Sequence, residues 1–150
     1  MEAESYGDAA TAAFINESFV PFTVNIKEHG ALFHRFDVLW TPTVLIMDPQ
    51  GVERDRIEGY LPREEFRARL EMGLARAAFT AKHWEEAEKR YAQVAERYPD
   101  TPVTAEAIYW RGVSHYKGTN DHTALGEVAQ QLSQKYPNSE WAKKASVWAH

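Results

Sequence analysis

The chain has 150 residues, 44 % of them hydrophobic and 13 % aromatic, a composition that suffices for a folded core and argues against disorder. Its formal net charge is -5 with the acidic excess in residues 1–61, which disfavours nucleic acid as a partner. No apolar run approaches the roughly 20 residues of a membrane span, and the amino-terminal residues lack the pattern of a secretory signal. Cysteine is absent, which favours a cytoplasmic location.

Residues 8–18 predict the first helix. They are rich in alanine and contain neither proline nor glycine, and their apolar residues recur at helical spacing. The face that we expect to pack against the rest of the protein is formed by Ala9, Ala12, Ala13 and Phe14.

Residues 20–26 change to a period of two, which is typical of a strand. Apolar side chains occupy every second position, and a proline, a threonine and an asparagine occupy the positions between them. Pro21 favours an edge position for this strand, because proline cannot donate a hydrogen bond to a neighbouring strand.

A second helix and a hairpin follow this predicted strand. The apolar spacing in residues 27–37 predicts a short helix that begins after Gly30. Residues 44–47 form an unbroken apolar run, which predicts a strand covered on both faces. Asp-Pro-Gln-Gly at residues 48–51 predicts a turn, and the charged residues 52–58 predict an exposed returning strand.

This order of elements resembles the thioredoxin family over about residues 5–79. The resemblance is carried by F-V-P-F-T-V-N-I, W-T-P-T-V-L-I-M-D-P-Q-G and R-I-E-G-Y-L-P. It implies an α/β fold in which Pro42 is a cis-proline that presents backbone groups to an extended peptide. The candidate peptide-binding residues are therefore Trp40, Thr41, Pro42 and Thr43.

The chain also departs from this family, because it contains neither the strand nor the C-x-x-C motif expected before the first helix. One alternative is that both lie upstream of Met1, so that the chain is the C-terminal portion of a thiol–disulfide oxidoreductase. In another, residues 20–26 pair directly with residues 43–47 in a three-stranded sheet. A second copy of the chain is a further source of the missing strand, as a homodimer.

The second half of the chain predicts helices and an internal repeat. Pro62 opens a helix whose buried stripe is predicted to contain Phe66, Leu70, Leu74 and Ala77 or Ala78. Residues 97–110 align without a gap on residues 135–148, at an offset of 38. A repeat of this length with paired helices resembles tetratricopeptide repeats.

Within these repeats, the predicted buried stripe of the next helix is Trp84, Ala87, Tyr91, Val94 and Tyr98. Residues 117–123 predict a lengthened turn, and the helix after it carries Leu125, Val128 and Leu132 on one face. A closing helix is predicted over residues 140–149, with Ser139 as its N-cap.

An independent array needs about three repeats, whereas this chain contains two repeats and one further helix. We therefore expect a thioredoxin-like domain at 1–79 and a repeat domain at 64–150 that share the helix 64–79. The fold class is thus α/β plus all-α. The repeat resemblance implies a partner-binding groove, whose candidate residues are Arg69, Met72, Arg76, Tyr109, Val113 and Tyr116.

These patterns favour a binding function over catalysis. A thioredoxin-type enzyme attacks disulfides with a thiolate, so a chain without cysteine offers no catalytic candidate of this kind. The six histidines form no spacing typical of a metal site, and no nucleotide-binding motif is present, so we assign no metal and no cofactor. The sequence predicts a non-catalytic scaffold that binds a protein or peptide and does not bind membranes.

Overall fold

The computed structural model describes residues 7–149. Residues 1–6 of the predicted domain 1–79 and residue 150 of the predicted domain 64–150 therefore lie outside the described residues. An α/β part is followed by a helical part, as the fold class predicts. The elements in chain order are α1 (Ala9–Ser18), α2 (Gly30–Arg35), β1 (Thr43–Met47), β2 (Glu53–Glu58), α3 (Arg63–Thr80), α4 (Trp84–Arg97), α5 (Thr104–Thr119), α6 (Thr123–Lys135), α7 (Glu140–Ala145) and a closing 3₁₀ turn, Ser146–Trp148.

The two strands form the predicted antiparallel hairpin, in which Val44 lies opposite Ile57. The Asp48 carboxylate closes its turn by accepting hydrogen bonds of 2.9 Å from the backbone N–H groups of Gln50 and Val52. Asp48 also forms an ion pair of 2.7 Å with Arg54. The backbone hydrogen bond from Val52 is the main cause that lowers the pKa of Asp48 below its usual value.

The prediction of a strand at residues 20–26 is wrong, and so is the three-stranded sheet. Residues 19–25 belong to no helix or strand, and the described sheet consists of β1 and β2. Val20 and Phe22 are almost completely exposed. The alternating pattern is local, but a strand forms only where a neighbouring strand satisfies its backbone groups.

The run at residues 44–47 is not covered on both faces, contrary to the prediction. Ile46 is its one buried residue, and the others remain half-exposed. The covered face of the hairpin packs Ile46 and Ile57 against Phe66 and Leu70 of α3. A Cβ on Gly73 would lie 2.5 Å from Cδ1 of Ile46, so a glycine is needed where α3 approaches β1.

The first helix begins as predicted, since the Asp8 carboxylate caps it by accepting a hydrogen bond of 3.0 Å from the N–H of Thr11. Its packing face differs from the predicted one. Ala9 and Ala13 are exposed, whereas Thr11 is buried and Phe14 packs beside the hairpin core. Small size alone therefore does not identify the buried face of a helix rich in alanine.

The helical part buries two connected cores. The stripe predicted for α4 is confirmed at Ala87, Tyr91 and Val94, which are buried, whereas Trp84 and Tyr98 are only half-buried. The next core lies between α5 and α6, where an added Cβ on Gly112 would lie 2.4 Å from Cγ2 of Val128. No described helix is both long and apolar enough to cross a membrane.

Two details of the second repeat correct the predictions. α5 continues to Thr119 and ends on Asn120, which has a φ of 61°, so residues 120–122 make a turn as short as residues 81–83. The lengthened turn at residues 117–123 is therefore wrong. Ser139 caps α7 as predicted, but the α-helix ends at Ala145 and continues as the 3₁₀ turn.

Candidate functional site

The first candidate site is the loop of residues 38–42, which joins α2 to β1. The Thr41–Pro42 peptide bond is cis, as the thioredoxin resemblance implies. The carbonyl of Pro42 accepts a hydrogen bond of 2.7 Å from the N–H of Gly59, just beyond β2. The Thr43 hydroxyl donates a hydrogen bond of 2.6 Å to the carbonyl of Trp40. These contacts fix the end of the loop that enters the hairpin.

The other end of the loop is held by Arg56 of β2. Its guanidinium donates to the carbonyls of Phe36 and Asp37, the second at 3.0 Å, and so ties the end of α2 to the hairpin. Glu53 accepts a hydrogen bond of 2.7 Å from the same guanidinium. This bond is the largest of the effects that raise the pKa of Arg56. The loop is therefore anchored at both ends.

Between these anchors the loop presents apolar side chains to solvent. Leu39 is 76 % exposed and Trp40 is 70 % exposed. Thr41 and Pro42 are exposed as well, and Thr43 is half-buried. The four predicted peptide-binding residues thus form one short surface segment. Sequence reasoning missed Leu39, although an apolar residue outside any predicted helix or strand was a signal for it.

The groove candidates on α3 already have partners within the chain. Arg69 donates to the Asp55 carboxylate at 2.8 Å and to the carbonyl of Arg56 at 2.7 Å. Arg76 forms an ion pair of 3.0 Å with Glu106 and also reaches the hairpin. Met72 is buried in the core shared by α3, α4 and α5. Arg69 and Arg76 thus tie α3 to the hairpin, and Arg76 also ties α3 to α5.

Burial changes the acidity of the groups around Arg76. Desolvation is the main cause that raises the pKa of Glu106, and the guanidinium of Arg76 opposes it. Burial also raises the pKa of Tyr91 to about 12. Both groups lie where α3, α4 and α5 meet, so this polar cluster belongs to the interior that joins the hairpin to the repeats.

The groove candidates on α5 have a different environment. Tyr109 stacks on Trp148 with ring centroids 4.8 Å apart and contacts Trp141 at 5.1 Å, so the closing segment covers it. Val113 and Tyr116 are half-buried, and the Tyr116 ring lies 5.0 Å from the His122 ring. Of the six groove candidates, Met72 is buried and the other five are half-buried, and their grouping in one groove stays a prediction.

Residues 7–149 contain no group of three or more histidine, cysteine, aspartate or glutamate side chains placed to hold a metal ion. His115 instead contacts Glu88 at 3.0 Å, which ties α5 to α4.

Two protein-family models match the chain, one after the other. The family model of the thioredoxin-like domain matches residues 1–73, and that of the tetratricopeptide repeat matches residues 68–101 and 106–139. Comparisons with curated proteins and with solved structures gave no match. The two matched regions overlap within α3, whereas the division into 1–79 and 64–150 stays a prediction.

Proposed function

Because a thioredoxin-like domain is joined here to tetratricopeptide repeats, we propose that the chain is a non-catalytic module that binds another protein or peptide. Tetratricopeptide repeats generally mediate contacts between proteins. The absence of cysteine from all 150 residues supports the non-catalytic reading, since no other side chain replaces a thiolate in disulfide exchange. A disulfide-reduction assay with turnover by this polypeptide would contradict it.

The contact surface in this proposal is the loop of residues 38–42. The single observation that carries it is the exposure of Leu39 and Trp40 on a loop that is hydrogen-bonded at both ends. A partner that covers these side chains removes apolar surface from water, and tryptophan is among the side chains that contribute most at protein interfaces. Because the loop is held in place before binding, little conformational entropy is lost on association.

The test uses a random peptide library displayed on phage, selected against the wild-type chain. The selected peptides are then measured against Trp40→Ala, Leu39→Ser and a matched control, Val147→Ser, whose original side chain is 65 % exposed on the closing 3₁₀ turn. We expect Trp40→Ala to weaken binding by about 2 kcal/mol or more, as at interface hot spots, and the control to bind like the wild type. Equal binding by all four proteins would place the contact elsewhere.

The exposed segment before α2 supports a second part of the proposal, which is self-association into a homodimer. Val20 and Phe22 present large, exposed apolar side chains on a segment that forms neither helix nor strand. One edge of β1 also has no partner strand among the described residues. Unpaired edges with exposed apolar neighbours favour pairing with another chain. The rings of Trp141 and Trp148, in contrast, contact the ring of Tyr109 within the chain.

Light scattering tests the homodimer directly. We expect a mass above the 17.2 kDa of one chain, which decreases when Val20 and Phe22 are replaced by serine. A mass of 17.2 kDa over a wide concentration range would contradict self-association without affecting the proposed loop contact.

The net charge of -5 favours a protein partner over nucleic acid, and the composition without cysteine suits a reducing compartment such as the cytoplasm. The location belongs to the proposal and is tested by fractionating cells that express the natural protein.

A further inference from the structure

A small cavity lies between α1, α3 and α4, on elements that carry no part of the proposed loop contact. Its volume is about 170 Å³. Its lining residues are Phe14, Glu71, Leu74, Arg90, Gln93 and Arg97. Pockets for drug-sized ligands begin at roughly 300 Å³, so this cavity suits a single small group.

The α4 side of the cavity carries two arginines, of which Arg90 forms an ion pair of 2.9 Å with Glu86 through Nε, so that its two terminal nitrogens have no acceptor among the described residues. Arg90, Gln93 and Arg97 share one face of the helix, because residues three, four and seven apart lie above one another. The nearest carboxylate oxygen to Arg97 is Oε1 of Glu71 at 3.5 Å, longer than the roughly 2.7–2.9 Å of a charge-assisted hydrogen bond. The guanidinium of Arg97 therefore retains hydrogen-bonding capacity.

A third guanidinium, that of Arg67, does not line the cavity but lies over the ring of Phe14, which does. Its central carbon is 4.7 Å from the centroid of the Phe14 ring. Its Nε–H is buried without an acceptor, and within residues 7–149 the side chain takes part in no ion pair. A buried donor without an acceptor is costly, and the positive charge of Arg67 beside Phe14 adds to the attraction of an anion to the cavity.

The remaining walls restrict the kind of anion. Phe14 and Leu74 form an apolar floor beside the arginines. Glu71 is buried at the same cavity, where it accepts a hydrogen bond of 3.0 Å from the Tyr98 hydroxyl. Its negative charge repels a dianion more strongly than a monoanion. A singly charged group with an apolar neighbour fits these walls better than a phosphate does.

We propose that this cavity binds a carboxylate carried on a short apolar stem. Arg90 and Arg97 hold the carboxylate oxygens, and the stem packs on Phe14 and Leu74. The same chemistry is offered by a free organic acid and by a glutamate side chain of a bound protein. The site is separate from the 38–42 loop, so either proposal can fail without the other.

The test is a titration followed by NMR spectroscopy, with the Gln93 side-chain amide as the reporter inside the cavity. Isocaproate supplies a carboxylate with an apolar stem, and isocaproamide supplies the same shape without the charge. Acetate and inorganic phosphate test the stem and the charge, and N-acetylglutamate N-methylamide represents a protein side chain. We expect saturable shifts of the Gln93 signals with isocaproate, weaker binding of acetate and phosphate, and no shift with isocaproamide.

Two variants and a matched control locate the binding. Arg97→Gln and Arg90→Gln are expected to raise the dissociation constant of isocaproate about tenfold each. Arg63→Gln is the control, because its original side chain is 59 % exposed against 57 % for Arg97 but does not line the cavity. Thermal melting of each variant shows that it remains folded.

The affinities of isocaproate and N-acetylglutamate N-methylamide then identify the source of the ligand. Tighter binding of isocaproate indicates a free organic acid, and tighter binding of N-acetylglutamate N-methylamide indicates a glutamate side chain of a bound protein. Equal shifts with isocaproamide would overturn the proposal, and so would unchanged binding by both cavity variants or an equal loss in Arg63→Gln. Tighter binding of phosphate than of isocaproate would overturn the assignment to a carboxylate. Leu39→Ser should leave the titration unchanged, which separates this site from the loop.

Discussion

The α/β part and the helical part differ most in what they do with apolar side chains. Within residues 7–61, Thr11, Ile46 and Ile57 are the buried residues, whereas α3 and the helices after it bury two connected cores. The pattern reverses at the surface, because the large apolar side chains found exposed lie in residues 7–61 with the exception of Val147. The helical part completes its own interior, and the α/β part leaves large apolar side chains exposed to solvent.

This difference also assigns a structural role to α3. The helix supplies Phe66 and Leu70 to the hairpin core and Met72 and Ala75 to the core of the repeats. A two-stranded hairpin alone is marginally stable in water, so the hairpin depends on α3 for most of its stability. The repeats depend on the hairpin less, because they pack mainly against one another.

The largest expected effect follows from removing the contact between α3 and the hairpin. Phe66 is fully buried, and Phe66→Ala should destabilise the hairpin by about 3–5 kcal/mol through lost burial and a cavity. Hydrogen exchange should then accelerate across residues 43–58, while the amides of α5 and α6 keep their protection. The matched variant Leu132→Ala, at an equally buried position, should have the reverse pattern. Uniform acceleration in both variants would mean that the two parts unfold as one unit.

A smaller effect is expected from releasing the loop of residues 38–42. Arg56→Gln removes the guanidinium that holds the carbonyls of Phe36 and Asp37, at a local cost of about 1–3 kcal/mol. Amide exchange at residues 36–40 should rise about tenfold or more, with little change in the repeats. Arg35→Gln removes a neighbouring guanidinium without these two hydrogen bonds and serves as the control. Unchanged exchange in Arg56→Gln would contradict the anchored loop.

The smallest effect concerns the pH dependence of the hairpin turn. The pKa of Asp48 is lowered in the folded chain, so its ionised form favours folding above the usual value of 3.8. This contribution is lost as the pH falls from 3.8 through the folded value. Asp48→Asn should therefore melt below the wild type at neutral pH, and the difference should shrink on acidification. Asp100→Asn, outside the hairpin, should not reproduce this trend, and a constant difference for Asp48→Asn would contradict the ionic contribution.

Local signals explain most of what could be predicted from the sequence. The Asp48 turn, the Ser139 cap and the stripe of α4 each depend on side chains within a few residues of one another. The cis bond before Pro42 came from the family resemblance, since spacing alone does not identify it.

Contacts between distant residues explain what could not be predicted. The pattern at residues 20–26 is that of a strand, but no neighbouring strand pairs with it among the described residues. Arg69 and Arg76 occupy expected groove positions, yet they bind a hairpin that precedes them by 13 to 22 residues. Spacing along one helix predicts which side chains share a face, and it does not predict what packs against that face.

The most direct test of the proposed contact surface is hydrogen exchange of the wild-type chain with and without a selected peptide bound. The account predicts new protection at residues 38–43 and at Gly59, where the loop meets the end of β2. The amides of α5 and α6 should exchange at the same rate in both states. Protection confined to α5 and α6, with residues 38–43 unchanged, would contradict the proposal and assign binding to the repeats.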